Sequence, residues 1–166
     1  MGIYQLPQLG FGEALKAACN KIVQFNGRSR RSEFWWTVLV VVIIDALTQW
    51  TITGLLNLLM IPITFRRLHD TGHSGWWYGA GIIAQVVVVF MAAVDFGLSA
   101  FMDDFSPSLF STMIGKYVLI GIGLLAYHIV VLVFLCQDSQ PFTNQYGESP
   151  KYPDEPESDT FAEPFI

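Results

Sequence analysis

The fold is decided by one polar stretch, Phe65-Arg66-Arg67-Leu68-His69-Asp70-Thr71-Gly72-His73-Ser74-Gly75-Trp76-Trp77, which separates long apolar runs. Soluble domains carry about 25% charged residues, whereas this chain of 166 residues carries 14% and is 52% hydrophobic. Its apolar residues come in blocks rather than at the period of an amphipathic helix or strand. Blocks of this length indicate membrane-crossing helices. The composition therefore predicts an all-α membrane protein.

The apolar run before the polar stretch, residues 34–65, is too long for one ordinary span. As a single helix it would measure about 48 Å, against a hydrocarbon core of about 30 Å. Two short helices that turn near residues 51–54 remove the excess, while a re-entrant hairpin and one long tilted or broken helix remain alternatives. The runs after the polar stretch are each long enough to cross. The four predicted spans are 34–50, 54–65, 76–95 and 117–136.

An amphipathic helix is predicted over residues 4–26, ahead of the first span. Its apolar residues recur at steps of three and four, which places them on one face; they are Phe11, Leu15, Ala18, Ile22 and Phe25. Beside a membrane such a helix lies in the interface, with its apolar face in the acyl boundary. The alternative is that this face packs against the protein's own helices.

The charges are distributed unevenly along the chain. Residues 1–33 carry five Lys/Arg against two Glu, and residues 137–166 carry seven acidic residues against one Lys. Basic residues beside an apolar run mark the cytoplasmic side, so four spans put both termini and the polar stretch there, with the net-negative connection 95–116 outside. Residues 1–150 are predicted to form a single membrane domain and 151–166 a disordered acidic tail. Because no broad basic surface remains, nucleic acid is not an expected partner.

The basic residues at the cytoplasmic side suggest contact with anions. Arginines at a membrane surface attract phosphates and anionic lipids, and the candidates are Arg28, Arg30, Arg31, Arg66 and Arg67. A polar cytoplasmic cluster is formed with them by Glu33, His69, Asp70 and His73. A purely structural interpretation is that Arg66 and Arg67 pair with Glu33 or Asp70, while Gly72 and Gly75 permit a tight bend.

Two other interpretations of the polar stretch stay open. His69 and His73 stand four residues apart beside Asp70, a spacing that would align metal ligands on a continuous helix. Thr71 and Gly72 are expected to break that helix, so no metal site is predicted. Proton or substrate handling by His69 and Asp70 is the third interpretation, since histidine titrates near neutral pH.

Asp45 and His128 are the intramembrane polar candidates, because each lies within an apolar run. An ionisable group in a membrane is a functional candidate by default. A small transporter or channel component that uses both residues in one polar site is therefore the alternative function. The structural interpretation places Asp45 near the outer interface and His128 in a hydrogen bond within the helix bundle.

The sequence carries no established catalytic, nucleotide-binding or cofactor-binding motif. Cys19 and Cys136 have neither disulfide nor zinc spacing. We therefore predict no catalytic residues and no cofactor. The leading prediction is a non-enzymatic interaction or lipid-contact protein with a basic cytoplasmic face. Its expected partners are the lipid bilayer, anionic lipid, and a membrane-protein partner or a second copy of itself.

Three sequence blocks together resemble one known family. They are Phe25-Asn26-Gly27-Arg28-Ser29-Arg30-Arg31-Ser32-Glu33-Phe34-Trp35, the block from Arg66 to Trp77, and Asn144-Gln145-Tyr146-Gly147. The pattern is similar, over about residues 8–152, to the bacterial family catalogued as domain of unknown function 805. This resemblance implies a small multi-pass protein of the inner membrane. It implies no activity, because none is established for the family.

Overall fold

The structure, a computed structural model, describes residues 5–49, 51–102 and 106–152. The described residues form five α-helices: α1 (Phe11–Asn20), α2 (Arg31–Leu47), α3 (Thr53–Asp70), α4 (Trp76–Phe101) and α5 (Pro107–Cys136). The all-α prediction is therefore confirmed. The predicted disordered tail lies outside the described residues, apart from 151 and 152.

The chain divides into two compact units. One comprises Met1–Gly75 together with Gln137–Ile166, and the other comprises Trp76–Cys136. The prediction of a single membrane domain over residues 1–150 stays a prediction. Helix α1 contacts α2 and α2 contacts α3 within the first unit, while α4 contacts α5 within the second.

Helix α1 is shorter than predicted. It covers 10 residues rather than the whole of 4–26. It begins where the Gly10 amide donates a 3.1 Å hydrogen bond to the Glu13 carboxylate, which satisfies one of the amides left open at a helix start. It ends before Lys21, whose carbonyl, like that of Gln24, accepts a hydrogen bond from Arg66. A distant guanidinium therefore takes carbonyls that a longer helix would have used internally.

Helices α2 and α3 form a hairpin, so a single continuous helix over 34–65 is wrong. Helix α2 ends at Leu47 and α3 begins at Thr53, so the turn comes slightly earlier than predicted. Thr53 donates a 2.9 Å hydrogen bond to Asp45, which joins the end of α2 to the start of α3. By length, α2 measures about 25 Å and α3 about 27 Å.

Helix α3 continues five residues beyond the predicted span, to Asp70. It ends in a Schellman motif: the amide of His73 bonds the carbonyl of Leu68 at 2.9 Å, and the amide of Gly72 bonds that of His69 at 3.1 Å. Gly72 has a φ of 81°, a conformation that favours glycine. The bend expected at this glycine is therefore present, but the arginines before it lie on a helix rather than in a loop.

Gly75 allows the chain to pass close to α3. A Cβ atom at this position would lie 2.2 Å from the ring of Phe65, which is too close for two non-bonded carbon atoms. The bend after α3 therefore depends on two glycines for different reasons. Gly72 supplies a backbone conformation, and Gly75 supplies space.

Residues 137–152 return to the first unit after α5. The Gln140 amide donates to the Asp70 carbonyl at 3.0 Å, and the Leu6 amide donates to the Lys151 carbonyl at 3.0 Å. Asn144 and Gly147 close a small turn through two backbone hydrogen bonds. This segment is named the return segment below.

Helices α4 and α5 are longer than the predicted spans 76–95 and 117–136. They contain 26 and 30 residues, so much of the predicted polar connection 95–116 is helical. The physical reason is that Asp95 accepts hydrogen bonds from Lys116 and from the Tyr117 hydroxyl, which neutralises charges in the middle of the run. Among the described helices, these two are long and apolar enough to cross a membrane.

Candidate functional site

The centre of the first unit is a carboxylate with no access to solvent. Asp70, at the end of α3, accepts a 2.9 Å hydrogen bond from Arg28 on one oxygen. Its other oxygen accepts bonds of 2.5 Å from Arg67 and from the Ser139 hydroxyl. The side chains of Asp70 and Arg67 are 0% exposed. Two cations on one carboxylate favour its ionised form, because nearby opposite charge stabilises the anion.

A second ion pair lies beside the first. Glu33, in the first turn of α2, pairs with Arg66 at 3.2 Å, and both side chains are buried. The Ser29 hydroxyl joins them, donating to Glu33 at 3.0 Å and accepting from Arg66 at 2.9 Å. The structure thus pairs both arginines of the polar stretch with carboxylates, as the structural interpretation predicts.

Five buried charged residues make up three ion pairs, and they are named the arginine cluster here: Arg28, Glu33, Arg66, Arg67 and Asp70. Three cations face two carboxylates, so backbone carbonyls must accept the remaining hydrogen bonds. Arg28 donates to the carbonyls of Gln140 at 2.5 Å, Phe142 at 2.9 Å and Gly147 at 3.3 Å. Across the described residues, every buried side-chain nitrogen and oxygen has a partner, which is what a stable buried ionic network needs.

Burial and pairing act in opposite directions on these groups. Burial raises the pKa of the Asp70 carboxyl, and the Ser139 hydroxyl, Arg67 and Arg28 counteract that rise. Burial likewise lowers the pKa of Arg67, with Asp70 opposing it. Arginine remains charged at neutral pH in either case. The cluster is therefore held by its internal partners, because water cannot reach its charges.

The imidazole of His69 connects α3 to the return segment. Its ring stacks on Tyr146 with 3.8 Å between centroids and 3° between planes. Nδ1 lies 3.2 Å from the Gly27 carbonyl, which makes it the protonated nitrogen of the neutral ring. Asn144 adds a 2.9 Å bond to the His69 carbonyl. Burial lowers the pKa of His69 from its usual 6.5, and the bond to Gly27 opposes this.

The lowered pKa of His69 predicts a loss of stability in mild acid. Between the folded-state pKa and 6.5, the unfolded chain binds a proton that the folded chain excludes, so the free energy of unfolding falls as pH decreases through that window. Thermal unfolding of purified protein at about pH 7.5 and about pH 5.5 measures the effect, with His69→Gln as the control. The melting temperature of wild type should fall further between the higher and the lower pH than that of His69→Gln. An equal loss in both proteins would contradict the assignment to His69.

The remaining cations of the anion-binding hypothesis lie at a groove in the first unit. The groove has a volume of about 420 Å³. Arg31, which is exposed, lines it at the start of α2 together with Lys151 of the return segment. Arg30 also lines it but is buried, and its guanidinium donates hydrogen bonds to the carbonyls of Pro150 and, at 2.9 Å, of Pro7. Trp35, Trp36 and Leu39 form its apolar side. Arg28, Arg66 and Arg67, by contrast, belong to the buried cluster, where no outside anion reaches them without displacing a carboxylate.

Asp45 and His128 lie in different units, and each has a partner close in sequence. Asp45 is buried and accepts the bond from Thr53 across the α2–α3 turn. Asp45 lies in the last turn of α2, where the helix dipole disfavours a carboxylate, so its bond with Thr53 at the start of α3 is the contact that stabilises it. In the second unit, Nδ1 of His128 lies 2.7 Å from the carbonyl of Leu124, one helical turn earlier.

The two histidines of the polar stretch do not share a helical face, since α3 ends between them. Nδ1 of His73 lies 3.1 Å from the Thr71 hydroxyl. In the part of the chain that the structure describes, no group of three His, Cys, Asp or Glu side chains is placed to hold a metal ion.

Sequence reasoning missed the two serines that complete the cluster. Ser29 stands inside the recognised block 25–35, so its place between arginines was a usable signal. Ser139 has no such signal, because it meets Asp70 only through the fold. Lys151 was also assigned to the tail, whereas it pairs with Asp138 at 2.5 Å and lines the groove.

The described residues form an all-helical protein, and two of its helices are apolar and long enough to cross a membrane. The sequence profile described as "Protein of unknown function (DUF805)" matches residues 46–148. The chain belongs to this family, as its sequence blocks predict.

Two relatives come from Escherichia coli strain K12. The inner membrane protein YhaI is 26% identical over 144 residues, which cover 78% of this chain and 88% of YhaI. The inner membrane protein YhaH is 38% identical over 73 residues, which cover 33% of this chain and 60% of YhaH. The chain thus matches less than two thirds of the length of YhaH. No solved structure is significantly similar to this chain.

Proposed function

We propose that the protein is a non-enzymatic component of the bacterial inner membrane, where it crosses four times as two helical hairpins and presents one polar, basic face for contact with anionic lipid or a partner. The single observation that carries this proposal is the arginine cluster. It joins the start of α2 to the end of α3 through the Glu33–Arg66 pair, and it joins the end of α3 to the return segment through Asp70.

The cluster supports an even number of crossings for each hairpin. Helix α2 leaves from Glu33 and α3 returns to Arg66, so both open ends of this hairpin are at the cluster. The chain leaves the first unit at Gly75 and re-enters it at Gln137, whose carbonyl accepts a bond from Arg67. A segment that starts and ends on one side crosses an even number of times. The polar connection around residue 106 then lies on the opposite side.

The first hairpin is short for a full crossing. The apolar part of α3, residues 53–65, measures about 20 Å, and the whole of α2 about 25 Å. Both helices nevertheless carry large exposed apolar side chains, including Leu47 at 79% and Leu58 at 62% exposure. Such surface is costly in water and suits lipid. A locally thinned bilayer would accommodate the hairpin.

The orientation is proposed from the positive-inside rule. The basic residues of the first unit flank the cluster, whereas residues 95–116, around the α4–α5 connection, carry three Asp and one Lys. Basic segments beside a span stay in the cytoplasm. Both termini are therefore proposed to be cytoplasmic, in keeping with relatives that are named inner membrane proteins. We also propose that α1 lies at the membrane interface.

Cysteine labelling in intact cells tests this arrangement. Cys19 and Cys136 are first replaced by serine, and single cysteines are then introduced as Ser74→Cys, Glu148→Cys or Ser108→Cys. A membrane-impermeant maleimide should modify the cysteine at 108 in intact cells, and those at 74 and 148 only after permeabilisation. Labelling of 74 and 148 from different sides would overturn the proposal, because the cluster requires both on one side. Labelling of the cysteines at 108 and 74 from the same side would mean that α4 and α5 form a re-entrant hairpin that does not cross the membrane.

A transporter that uses Asp45 and His128 lacks comparable support. The hydrogen bond of Asp45 to Thr53 and that of His128 to Leu124 are local bonds within helical hairpins or turns. Each contact has a structural explanation in its own unit. The lipid-contact function is therefore the one that we carry forward.

A further inference from the structure

We propose that the groove beside α2 is a discrete site for one anionic phospholipid, with the phosphate at Arg31 and Lys151, next to the buried charge of Arg30, and an acyl chain along Trp36 and Leu39. This inference rests on the proposed function, which places α2 in the membrane, and it deepens that function by naming a ligand class and a binding site.

The charges of the groove match a phosphate. Arg31 and Lys151 line it together with one carboxylate, Asp138. The buried Arg30 adds positive charge to the groove, although its guanidinium is bonded to the carbonyls of Pro7 and Pro150. Asp138 is held by Lys151, with bonds of 2.7 and 2.5 Å. No side chain caps the start of α2, at Arg30, and the positive end of a helix dipole adds to the attraction for an anion. The cationic excess therefore persists at the end of the groove where the helix begins.

The apolar side of the groove matches an acyl chain. Trp35, Trp36 and Leu39 line it, and all three are exposed by more than a third. Residues three and four apart share a helix face, so Leu39 continues from Trp36, and Ile43, at 49% exposure, continues from Leu39. The apolar path thus runs along α2 away from its charged end. A phospholipid has the same arrangement, with a charged headgroup at one end and a hydrocarbon chain that leads away from it.

The position of the cations on the helix favours a lipid over a free phosphate. Arg31 precedes Trp35 by one turn, and tryptophan is typical of headgroup depth. A phosphate in bulk water would gain from the cations alone, whereas a phospholipid also buries hydrocarbon on Trp36 and Leu39. Phosphatidylglycerol is the expected ligand type. Phosphatidylcholine would place a quaternary ammonium near the same cations, so it should bind less well.

Native mass spectrometry of the full chain in detergent tests the site. Phosphatidylglycerol or phosphatidylcholine is added at increasing concentration to wild type and to Arg31→Gln. Lys16→Gln is the matched control, because it removes an exposed cation of α1 outside the groove. Wild type should retain one phosphatidylglycerol with saturable affinity. Arg31→Gln should bind it about fivefold more weakly, the usual effect of one cation at a membrane surface, while Lys16→Gln should not change it.

Asp138→Asn is expected to change the affinity for phosphatidylglycerol in the direction opposite to Arg31→Gln. The variant removes the groove's carboxylate and leaves Lys151 to the phosphate, so binding of phosphatidylglycerol should strengthen. Thermal unfolding of each variant separates loss of the site from loss of the fold. A weaker affinity in Asp138→Asn would contradict the charge argument.

Three outcomes would overturn the inference, and they have different consequences. Equal weakening by Arg31→Gln and Lys16→Gln would mean diffuse attraction to the basic face, which leaves the proposed function standing without a discrete site. Absence of any preference for phosphatidylglycerol in wild type would remove both. In a third case, phosphatidylglycerol would bind only to a full-chain variant in which Asp154, Glu155, Glu157 and Asp159 are replaced by neutral residues. The acidic tail, rather than lipid, would then be the occupant of the groove.

Discussion

Replacing Asp70 by asparagine is expected to destabilise the protein by about 3–5 kcal/mol, because it leaves Arg28 and Arg67 buried without their counter-charge. Both guanidiniums bind this carboxylate directly, at 2.9 and 2.5 Å. Water cannot replace the lost charge, since the side chains of Asp70 and Arg67 are 0% exposed. Asparagine keeps the size of the side chain, so the effect reports charge rather than a cavity.

Thermal unfolding in detergent measures this loss, with Asp138→Asn as the matched control. Asp138 also forms an ion pair, but it is half exposed, and pairs of that kind contribute about 1 kcal/mol or less. A loss of 3–5 kcal/mol corresponds to a melting temperature lower by about 6–20 °C for a chain of this size. The control should change by a few degrees at most. Similar shifts in both variants would mean that Asp70 does not carry the cluster.

The second large effect is expected from Arg28→Lys, which should release the return segment. The Arg28 guanidinium binds Asp70 and the carbonyls of Gln140, Phe142 and Gly147. A lysine ammonium has three donors on a single nitrogen and cannot reach acceptors arranged around a planar fork. The variant keeps the positive charge, so that only the geometry of recognition is lost.

Limited proteolysis with chymotrypsin measures the release, because Phe142 and Tyr146 are cleavage sites within the segment. Cleavage tracks the population of the opened form, and the loss of several hydrogen bonds to a charged group should accelerate it by at least about tenfold. Lys151→Gln is the control, since its side chain binds Asp138 at the surface of the same segment. An unchanged rate in Arg28→Lys would assign the segment to its other contacts, the Ser139 bond to Asp70 and the stacking of Tyr146 on His69.

These two effects differ from what the sequence suggested for the same residues. Arginines beside an apolar run predict contact with lipid phosphates, and the five arginines were grouped on that basis. The fold separates them: Arg28, Arg66 and Arg67 belong to the buried cluster, Arg30 is buried and bonded to the carbonyls of Pro7 and Pro150, and Arg31 is exposed at the groove. The reason is that a guanidinium near a membrane surface is stabilised equally by a lipid phosphate or by a carboxylate from another helix. Sequence spacing does not distinguish the two.

The prediction of helix boundaries from the sequence has a similar limit. The boundaries of α3 and α5 were predicted from where polar residues begin, yet both helices continue through them. In α3 the extension is possible because Arg66, Arg67 and Asp70 find partners from other segments. In α5 Lys116 is paired with Asp95 of the preceding helix. A polar residue that ends an apolar run in the sequence need not end the helix when a partner neutralises its charge.

The sequence by itself predicted the all-helical class, the family and the importance of the stretch 65–77, and it favoured two helices over one before residue 65. These follow from composition, run length and local turn chemistry, which act between near neighbours. Only the tertiary structure decided that Asp70 is the centre of a buried cluster and that residues 137–152 belong to it. It also separated the arginines of the buried cluster from those at a groove. Such choices depend on contacts such as Arg28 with Asp70 and Ser139 with Asp70, between residues 42 and 69 positions apart, and no local pattern encodes which distant partner will neutralise a charge.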